Sequence, residues 1–489
     1  MAQLQLLAAE NSLNRSKRGT RQTLQFWLAI ENAAYHKQVD VVWSGEDGIW
    51  HEAVAHYRYT RGDGTELWHA RVTLSGRSGR MLPGSVRFAA RLRSDGSGHW
   101  ENNGGADFLL RSNCGTTLFG GRLLQNLMLD HALADDQHWL PIQIATASGF
   151  AAKQVSIRWT TDNWRHSHQT DCRRARQSKL AAGQVWNTRL KVADVFALEY
   201  CIVADDGKRQ IWDNNHGRNY RFSRSPLSVM ILNLHCYQED DQQRKFRQIA
   251  KAIEEQAADV VCFQEAAEHW NNGHGDWASN SANIINQHLK RPMHIYYDWS
   301  HLGFDRFREG VAILSRYPLL QQEARYVSDS HDPYSIHSRK VVMAQIQVPY
   351  IGLLNVFSAH LSWWEDGFRE QFQRLCSWAE NLRHEGLQAT LLCGDFNIAA
   401  GSIGYRQVVE HGRYQDQYLA VNHRGLFDKI FRVNDPHWQH LLADDYRIDY
   451  IFMNKDAGLR ATTARVVFTE QDYGQVSDHC GFLMQFEPT

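Results

Sequence analysis

The sequence predicts a multidomain chain in which two all-β sandwiches precede one α/β domain. Three observations predict it. The first 224 residues contain a duplicated pattern, their apolar residues alternate at period two, and beyond residue 227 strand patterns alternate with helix patterns. The chain has 489 residues, which at about 150 residues per domain is room for roughly three domains.

The duplication is explicit. KQVDVVW starts at Lys37 and KQVSIRW at Lys153, an offset of 116. HWENNGGADF holds Trp100, Asn102 and Asn103, and IWDNNHGRNY holds Trp212, Asn214 and Asn215, an offset of 112. Spacings of this size are too long for a solenoid and indicate tandem related domains. DVVW, VSIRW, SVRFAARL and FALEYCIV alternate apolar with polar residues and are separated by Gly, Asp and Asn clusters, the mark of half-buried strands. About seven such strands over some 100 residues suit a β-sandwich. The expected extents are 1–112 and 113–224, with SRSPL at 223–227 as a linker.

From 227 the pattern changes. SVMILNL reads as a buried strand. DQQRKFRQIAKAIEEQAAD reads as an amphipathic helix with Phe246, Ile249, Ala250, Ile253 and Ala257 on one face. VVCFQ, GVAIL, KVVMAQIQV and GLLNVFSAH follow as strands, then the helix GFREQFQRLCSWAENL, then TLLCG, RIDYIFM and CGFLMQF. This alternation makes 225–489 a single α/β domain.

Composition narrows the class. Hydrophobic residues make up 43%, ordinary for a globular chain. No apolar run is long enough to span a bilayer, and the first residues lack the pattern of a signal peptide. The eight Cys form no CxxC pair, so a zinc ribbon or redox motif is not expected. Reduced thiols in a cytoplasmic protein are. Net charge is −1, but the residues from Ser225 onward hold 24 Lys+Arg and 33 Asp+Glu, a balance of −9.

Polar residues stand where the apolar strands of the α/β domain stop. Asn233 ends MILNLH, Gln264 and Glu265 end VVCFQE, and His360 ends NVFSAH. Asp395 and Asn397 end LLCGDFN, Asp449 lies in RIDYIF, and Asp478 and His479 precede CGFLMQF. Strand ends on one edge converge on a shared crevice. Carboxylates and amides gathered there suit a hard cation, Mg²⁺ above all, with Mn²⁺ as a second option. An acid beside a His offers proton transfer or a polarised imidazolium.

ILNLHCY, VVCFQE, REGVAILSRYP, SAHL, LLCGDFN, RIDYIF and VSDHCGF occur in the order of the endonuclease/exonuclease/phosphatase superfamily, which residues 227–489 resemble. The resemblance implies a two-sheet α/β sandwich with helices outside and metal-dependent cleavage of phosphate esters. It implies that Asn233, Glu265 and Asp478 surround the metal and that Asp449 orients His479. Asp395 and Asn397 would position the attacking water, His360 would hold a phosphoryl oxygen, and either Asp395 or His479 would take the water proton. His235 stands where abasic-site repair nucleases usually have an acid.

WDNNHGRNY, with TTDNW and the strands upstream, resembles starch-binding-type carbohydrate modules. Trp212, Asn214, Asn215 and Tyr220 match that motif, whereas the first copy has Asp107 in place of Asn219 and Phe108 in place of Tyr220. The pairing of such modules with a phosphoesterase domain is similar to that of the bacterial maltose 6′-phosphate phosphatases. The resemblance implies a Mg²⁺-dependent phosphoric monoester hydrolase whose substrate is a phosphorylated disaccharide. Trp363, Trp364 and Arg339 are the substrate-binding candidates. Adjacent residues at the start of a helix face different ways, so one Trp of the pair is expected to be the sugar platform.

The alternatives are a Mg²⁺-dependent nuclease or other phosphodiesterase and a lipid phosphodiesterase of sphingomyelinase type. Nucleic acid is dominated by phosphate contacts that call for a basic face, which a balance of −9 does not supply. A membrane partner would call for an exposed apolar insertion, and none stands out in the sequence.

Overall fold

The duplicated motifs sit on duplicated strand pairings. In the computed structural model, which describes residues 3–17, 19–32, 36–76, 81–94, 97–117, 122–175, 183–411, 413–422 and 447–489, the strand Lys37–Ser44 pairs with Val86–Ser94. Val86–Ser94 in turn pairs with Ser97–Glu101 and Phe108–Leu110. The second copy repeats this. Gln154–Thr160 pairs with Ala197–Asp205, which pairs with Gln210–Asp213 and Tyr220–Ser223. Val39, Val41 and Trp43 of KQVDVVW are buried, as are Val155 and Ile157 of KQVSIRW, so the alternation reads the core face in both.

The first sandwich is one nine-stranded sheet, eight strands in a continuous path with Phe108–Leu110 branching from Val86–Ser94. Its corner is the strand Trp50–Thr60, which pairs with Lys37–Ser44 through residues 50–54 and with Glu66–Ser75 through residues 55–60. The strand Cys114–Thr117 pairs with Leu4–Ser16, so this sandwich runs on past residue 112. The second is built from a four-stranded and a five-stranded sheet. Leu124, Ile142, Ile144, Ile157, Leu198 and Ile202 lie in its core. Ser223 and Arg224 belong to this sandwich and not to a linker. Arg224 is buried and its guanidinium donates to the carbonyls of Ala134, Gln137, Val192 and Val195.

Contact clustering divides the chain into Met1–Ser225 and Pro226–Thr489. The second unit is two six-stranded sheets. One runs in the order His294–Gly303, Phe307–Ser315, Val260–His269, Leu227–Asn233, Gly481–Pro488, Leu459–Val467. The other runs Leu319–Tyr326, Lys340–Val348, Gly352–His360, Leu387–Asp395, Asp449–Asn454, Tyr414–Asp416. Strands buried on both faces read as near-continuous apolar runs, and LSVMILN and TLLCG are of that kind.

Helices cover the sheets. Phe246, Ile249 and Ile253 of the helix Gln242–Glu255 pack in one core with Met230, Leu232, Val261 and Phe263. Each such side chain contributes about 1.5–3 kcal/mol by burial. Phe368, Phe372 and Leu375 of the helix Phe368–Asn381 pack with Phe357, Leu392 and Phe452. Ala257 is not on the helix face as expected. The helix ends at Glu255, and Ala257 takes a left-handed φ of 48° and is exposed. Among the described residues no helix is long and apolar enough to cross a membrane, and none of the eight Cys is in a disulfide.

Candidate active site

Register builds the site. Two strand pairs are parallel, and each ends on polar residues: Asn233 lies opposite Gln264, and His360 lies opposite Asp395. Asp395 also lies opposite Asp449 across the antiparallel neighbour, so three expected residues form a row over three strands. Gln264 does not face the crevice. Its Nε2 donates to Ser358 Oγ at 3.0 Å, and that hydroxyl donates to Phe263 O at 3.1 Å, which ties one sheet to the other beneath the site. The ladder shifts register between Phe263 and Ala266, a β-bulge that re-aims a side chain. Glu265 sits in that bulge with a φ of 48°. His235 and Asn397 also hold left-handed backbones, with φ of 47° and 49°. Such conformations cost free energy in non-glycine residues and cluster at functional sites.

The side chains meet in closely adjoining hydrogen-bonded groups. Asn233 Nδ2 donates to Glu265 Oε1 at 2.8 Å and to Asp395 Oδ2 at 3.1 Å. His479 Nδ1 donates to Asp449 Oδ2 at 2.8 Å, leaving Nε2 at 3.8 Å from Asp395 Oδ2. The Asn397 N–H donates to Asp395 Oδ1 at 2.9 Å, and its side-chain amide donates to Leu361 O at 2.9 Å. Arg339 Nη1 donates to His360 Nδ1 at 3.3 Å, so the neutral ring carries its proton on Nε2, at 3.7 Å from Asp395 Oδ2.

Charge is unevenly shared. Burial raises Glu265, and Glu309 and Asp478 add to the rise. Burial raises Asp395, with Asp449 adding to it. Burial and the Arg339 and His301 charges hold His360 well below the ordinary histidine range, so it is neutral. Burial works against a charge on His479, but Asp449, Asp478 and Asp395 outweigh it and hold the ring as an imidazolium.

These carboxylates are oxygen donors crowded into a buried space, the setting a divalent cation relieves. Among the described residues, three donor groups lie within 4.8 Å of one another: Glu265, His360 and Asp395; Asp395, Asp449 and His479; His235, Glu239 and Asp478. Asp478 thus groups with His235 and Glu239, and its charge also acts on Glu265. His235 Nδ1 donates to Glu239 Oε1 at 2.8 Å, with Asp478 Oδ1 at 3.6 Å. Burial opposes its charge, yet Glu239 and Asp478 bring its pKa up to about 9.

The two Trp candidates part company. Trp363 lines the same cavity of about 570 Å³ as Arg339, His360, Asp395 and His479. Trp364 packs against Phe368 at 6.1 Å between ring centroids and against the second-sheet core. Trp363 is extended, with ψ of 161°, and the 3₁₀ turn starts only at Trp364, which is why they diverge. The sequence reading missed His301 and Glu309. They sit within strands, and His301 Nε2 lies 3.3 Å from Glu309 Oε1 on the cavity wall. It also missed Phe304, Tyr334 and Ile336, which lie in loops without periodicity.

The profile of the endonuclease/exonuclease/phosphatase family matches residues 230–479, more than half the chain. The chain belongs to that family. The profile of the family 21 carbohydrate/starch-binding module matches residues 124–223, the second sandwich. No curated protein matches the chain. Among solved structures, an endonuclease/exonuclease/phosphatase family protein from Leptotrichia buccalis is 22% identical, covering 53% of this chain and 99% of that one, with a TM-score of 0.46. A mannosyl-6-phosphatase of Bacteroides thetaiotaomicron is 15% identical over 53% of this chain and 99% of that one, with a TM-score of 0.38. TDP2 of D. rerio, complexed with a single-strand DNA product, is 18% identical over 54% and 99%, with a TM-score of 0.39.

The WxNN motif has a structural basis common to both sandwiches of this family member. Asn102 and Asn214 each accept the N–H three residues on, at 3.0 Å. Asn103 and Asn215 donate to the carbonyls of Asp107 and Asn219. Asn103, Asp107, Asn215 and Asn219 all take left-handed φ, which Asn and Asp tolerate best. Asp107 therefore replaces Asn219 without loss. Phe108 stacks on Phe88 as Tyr220 does on Tyr200. Asn215 also serves the contact between the sandwiches. Its Oδ1 accepts the Gly62 N–H at 2.8 Å, so close that a Cβ at Gly62 would lie 1.9 Å from Asn215 O. Trp212 is 48% exposed with the Arg158 guanidinium over its ring at 4.9 Å, and Trp100 has Arg91 in the same place.

Proposed function

We propose that the protein is a Mg²⁺-dependent phosphatase of sugar phosphomonoesters, with a phosphorylated disaccharide of the maltose 6′-phosphate kind as substrate. One observation carries the reading. Arg339, His360, Asp395 and His479 share one cavity of about 570 Å³ with Trp363 and Asp366, a size typical of small-molecule sites. The balance of −9 in this part of the chain supports it against a nucleic acid. So does the presence, on the same chain, of a match to a carbohydrate/starch-binding module.

In this reading Asn233, Glu265 and Asp478 hold the metal ion, Mg²⁺ or Mn²⁺. Bound there, the ion supplies positive charge to the phosphoryl oxygens. The chain's own groups do the rest. Arg339 and the His479 imidazolium hold phosphoryl oxygens, and His360 donates to another from Nε2. Asp395 accepts the proton of the attacking water. Its raised pKa makes it the better base, and His479, already protonated, has no room for a second proton. Asn397 fixes Asp395 through its N–H, and Asp449 fixes the His479 ring. The bond from phosphorus to the sugar oxygen breaks as the bond to the water oxygen forms, and the sugar oxygen leaves with the bonding pair and takes a proton from solvent, so that the sugar departs as its free hydroxyl.

The test is phosphate release by the purified full chain with Mg²⁺ against disaccharide 6-phosphates, nucleotides and DNA. Release from a disaccharide 6-phosphate above the other substrates supports the reading. Cleavage of DNA without release from any sugar phosphate overturns it.

A further inference from the structure

Three large apolar side chains stand at the rim of the cavity: Phe304 is 56% exposed, Tyr334 69% and Ile336 59%. Single exposed apolar residues are ordinary, but a cluster bordering a polar cavity marks a contact surface. Here it comes from two loops. Phe304 is in the turn between the strands His294–Gly303 and Phe307–Ser315, where Phe304 and Asp305 both take left-handed φ of 50° and 55°. Tyr334 and Ile336 are in the loop between the strands Leu319–Tyr326 and Lys340–Val348.

The loops are built to hold their shape. The Leu302 N–H, at the end of the strand that leads into the first, donates to Pro333 O of the second at 2.6 Å. Within the second, Tyr334 N donates to Asp332 Oδ1 at 3.0 Å and Ser338 Oγ donates to Asp332 O at 2.7 Å. The Tyr334 ring meets Trp270 edge-on at 6.0 Å. A patch held this firmly loses little entropy when it binds. Asp305, next to Phe304, and Asp366, on the same cavity, offer acceptors for hydroxyl hydrogens.

The cavity's lining is therefore of two kinds. Arg339, His360, Asp395 and His479 are one part of its lining, and the exposed faces of Phe304, Tyr334 and Ile336 with nearby carboxylates are another. We propose that Phe304, Tyr334 and Ile336 form a subsite for the second sugar ring, the one that does not carry the phosphate. The apolar C–H face of a pyranose packs on such side chains while its hydroxyls reach the carboxylates. This rests on the sugar phosphatase reading and adds to it that the enzyme selects disaccharide over monosaccharide phosphates.

The experiment compares the full chain with Phe304→Ala, Tyr334→Ala and the double variant, using maltose 6′-phosphate and glucose 6-phosphate with Mg²⁺. The double variant is expected to lose about tenfold or more in kcat/KM for the disaccharide, through KM, and under about threefold for the monosaccharide. Phe304→Trp, which restores a ring, should keep the preference. Equal losses on both substrates, or none on either, overturn the subsite while the phosphatase reading stands. A wild type that releases phosphate from neither sugar overturns both. Cleavage of sphingomyelin vesicles that the double variant loses would assign the patch to a lipid surface and overturn the subsite.

Discussion

His479 donates from Nδ1 to Asp449 Oδ2 at 2.8 Å, and both residues are buried. The carboxylate fixes which nitrogen faces Asp395 and keeps the ring charged against its burial. Asp449→Asn should lower kcat for phosphate release by about a hundredfold to ten-thousandfold, with little change in KM. His479→Ala should fall as far. A near-normal kcat in either variant would remove the pair from the reaction.

Glu265 and Asp395 crowd negative charge into a buried space. A cation that binds only the folded chain stabilises it by mass action. Millimolar Mg²⁺ should therefore raise Tm in a thermal melt, and chelator should remove both the rise and the activity. Glu265→Gln should raise Tm in chelator and lose most of the response to Mg²⁺. Activity undiminished in excess chelator would contradict metal dependence.

Trp363 and Trp364 should fail differently. Trp364→Ala empties part of the core beside Phe368, at a cost of about 2–4 kcal/mol read in denaturant melts. Trp363→Ala should leave stability within about 1 kcal/mol and raise KM for a disaccharide phosphate.

His69 is buried on the first sandwich, 5.2 Å from Trp27 between ring centroids. Burial, with the Arg58 and Arg71 charges, pushes its pKa down to about 4. Below its ordinary value near 6.5 the unfolded chain takes up a proton that the folded chain refuses. The fold therefore loses stability as pH falls from about 6.5 toward 4. His69→Gln should flatten this part of the Tm–pH curve; an unchanged slope would mean the acid sensitivity lies elsewhere.

Much of this was legible because the reactive residues terminate apolar runs, and a strand's end is visible in a sequence. His360, Asp395 and Asn397 were found in this way. Glu309 was not, since mid-strand acids carry no such marker and its partner His301 comes from a neighbouring strand. The bulge at Glu265 is a matter of pairing and leaves no trace in composition. Arg224 looked like linker because its four carbonyl partners lie far off in sequence. Trp363 and Trp364 diverge because the turn begins between them, a boundary finer than periodicity resolves.

The row formed by His360, Asp395 and Asp449 has a consequence for how the molecule comes apart. Each residue owes its position to the pairing of its own strand, and a one-residue slip would send the side chain to the opposite face. An opening that unpairs these strands disorders the row with them. Amide hydrogens of these strands should exchange with solvent only through the largest openings of the unit. Warming should then subtract whole molecules from the active pool, and those still folded should turn over at undiminished rate until the sheet itself melts.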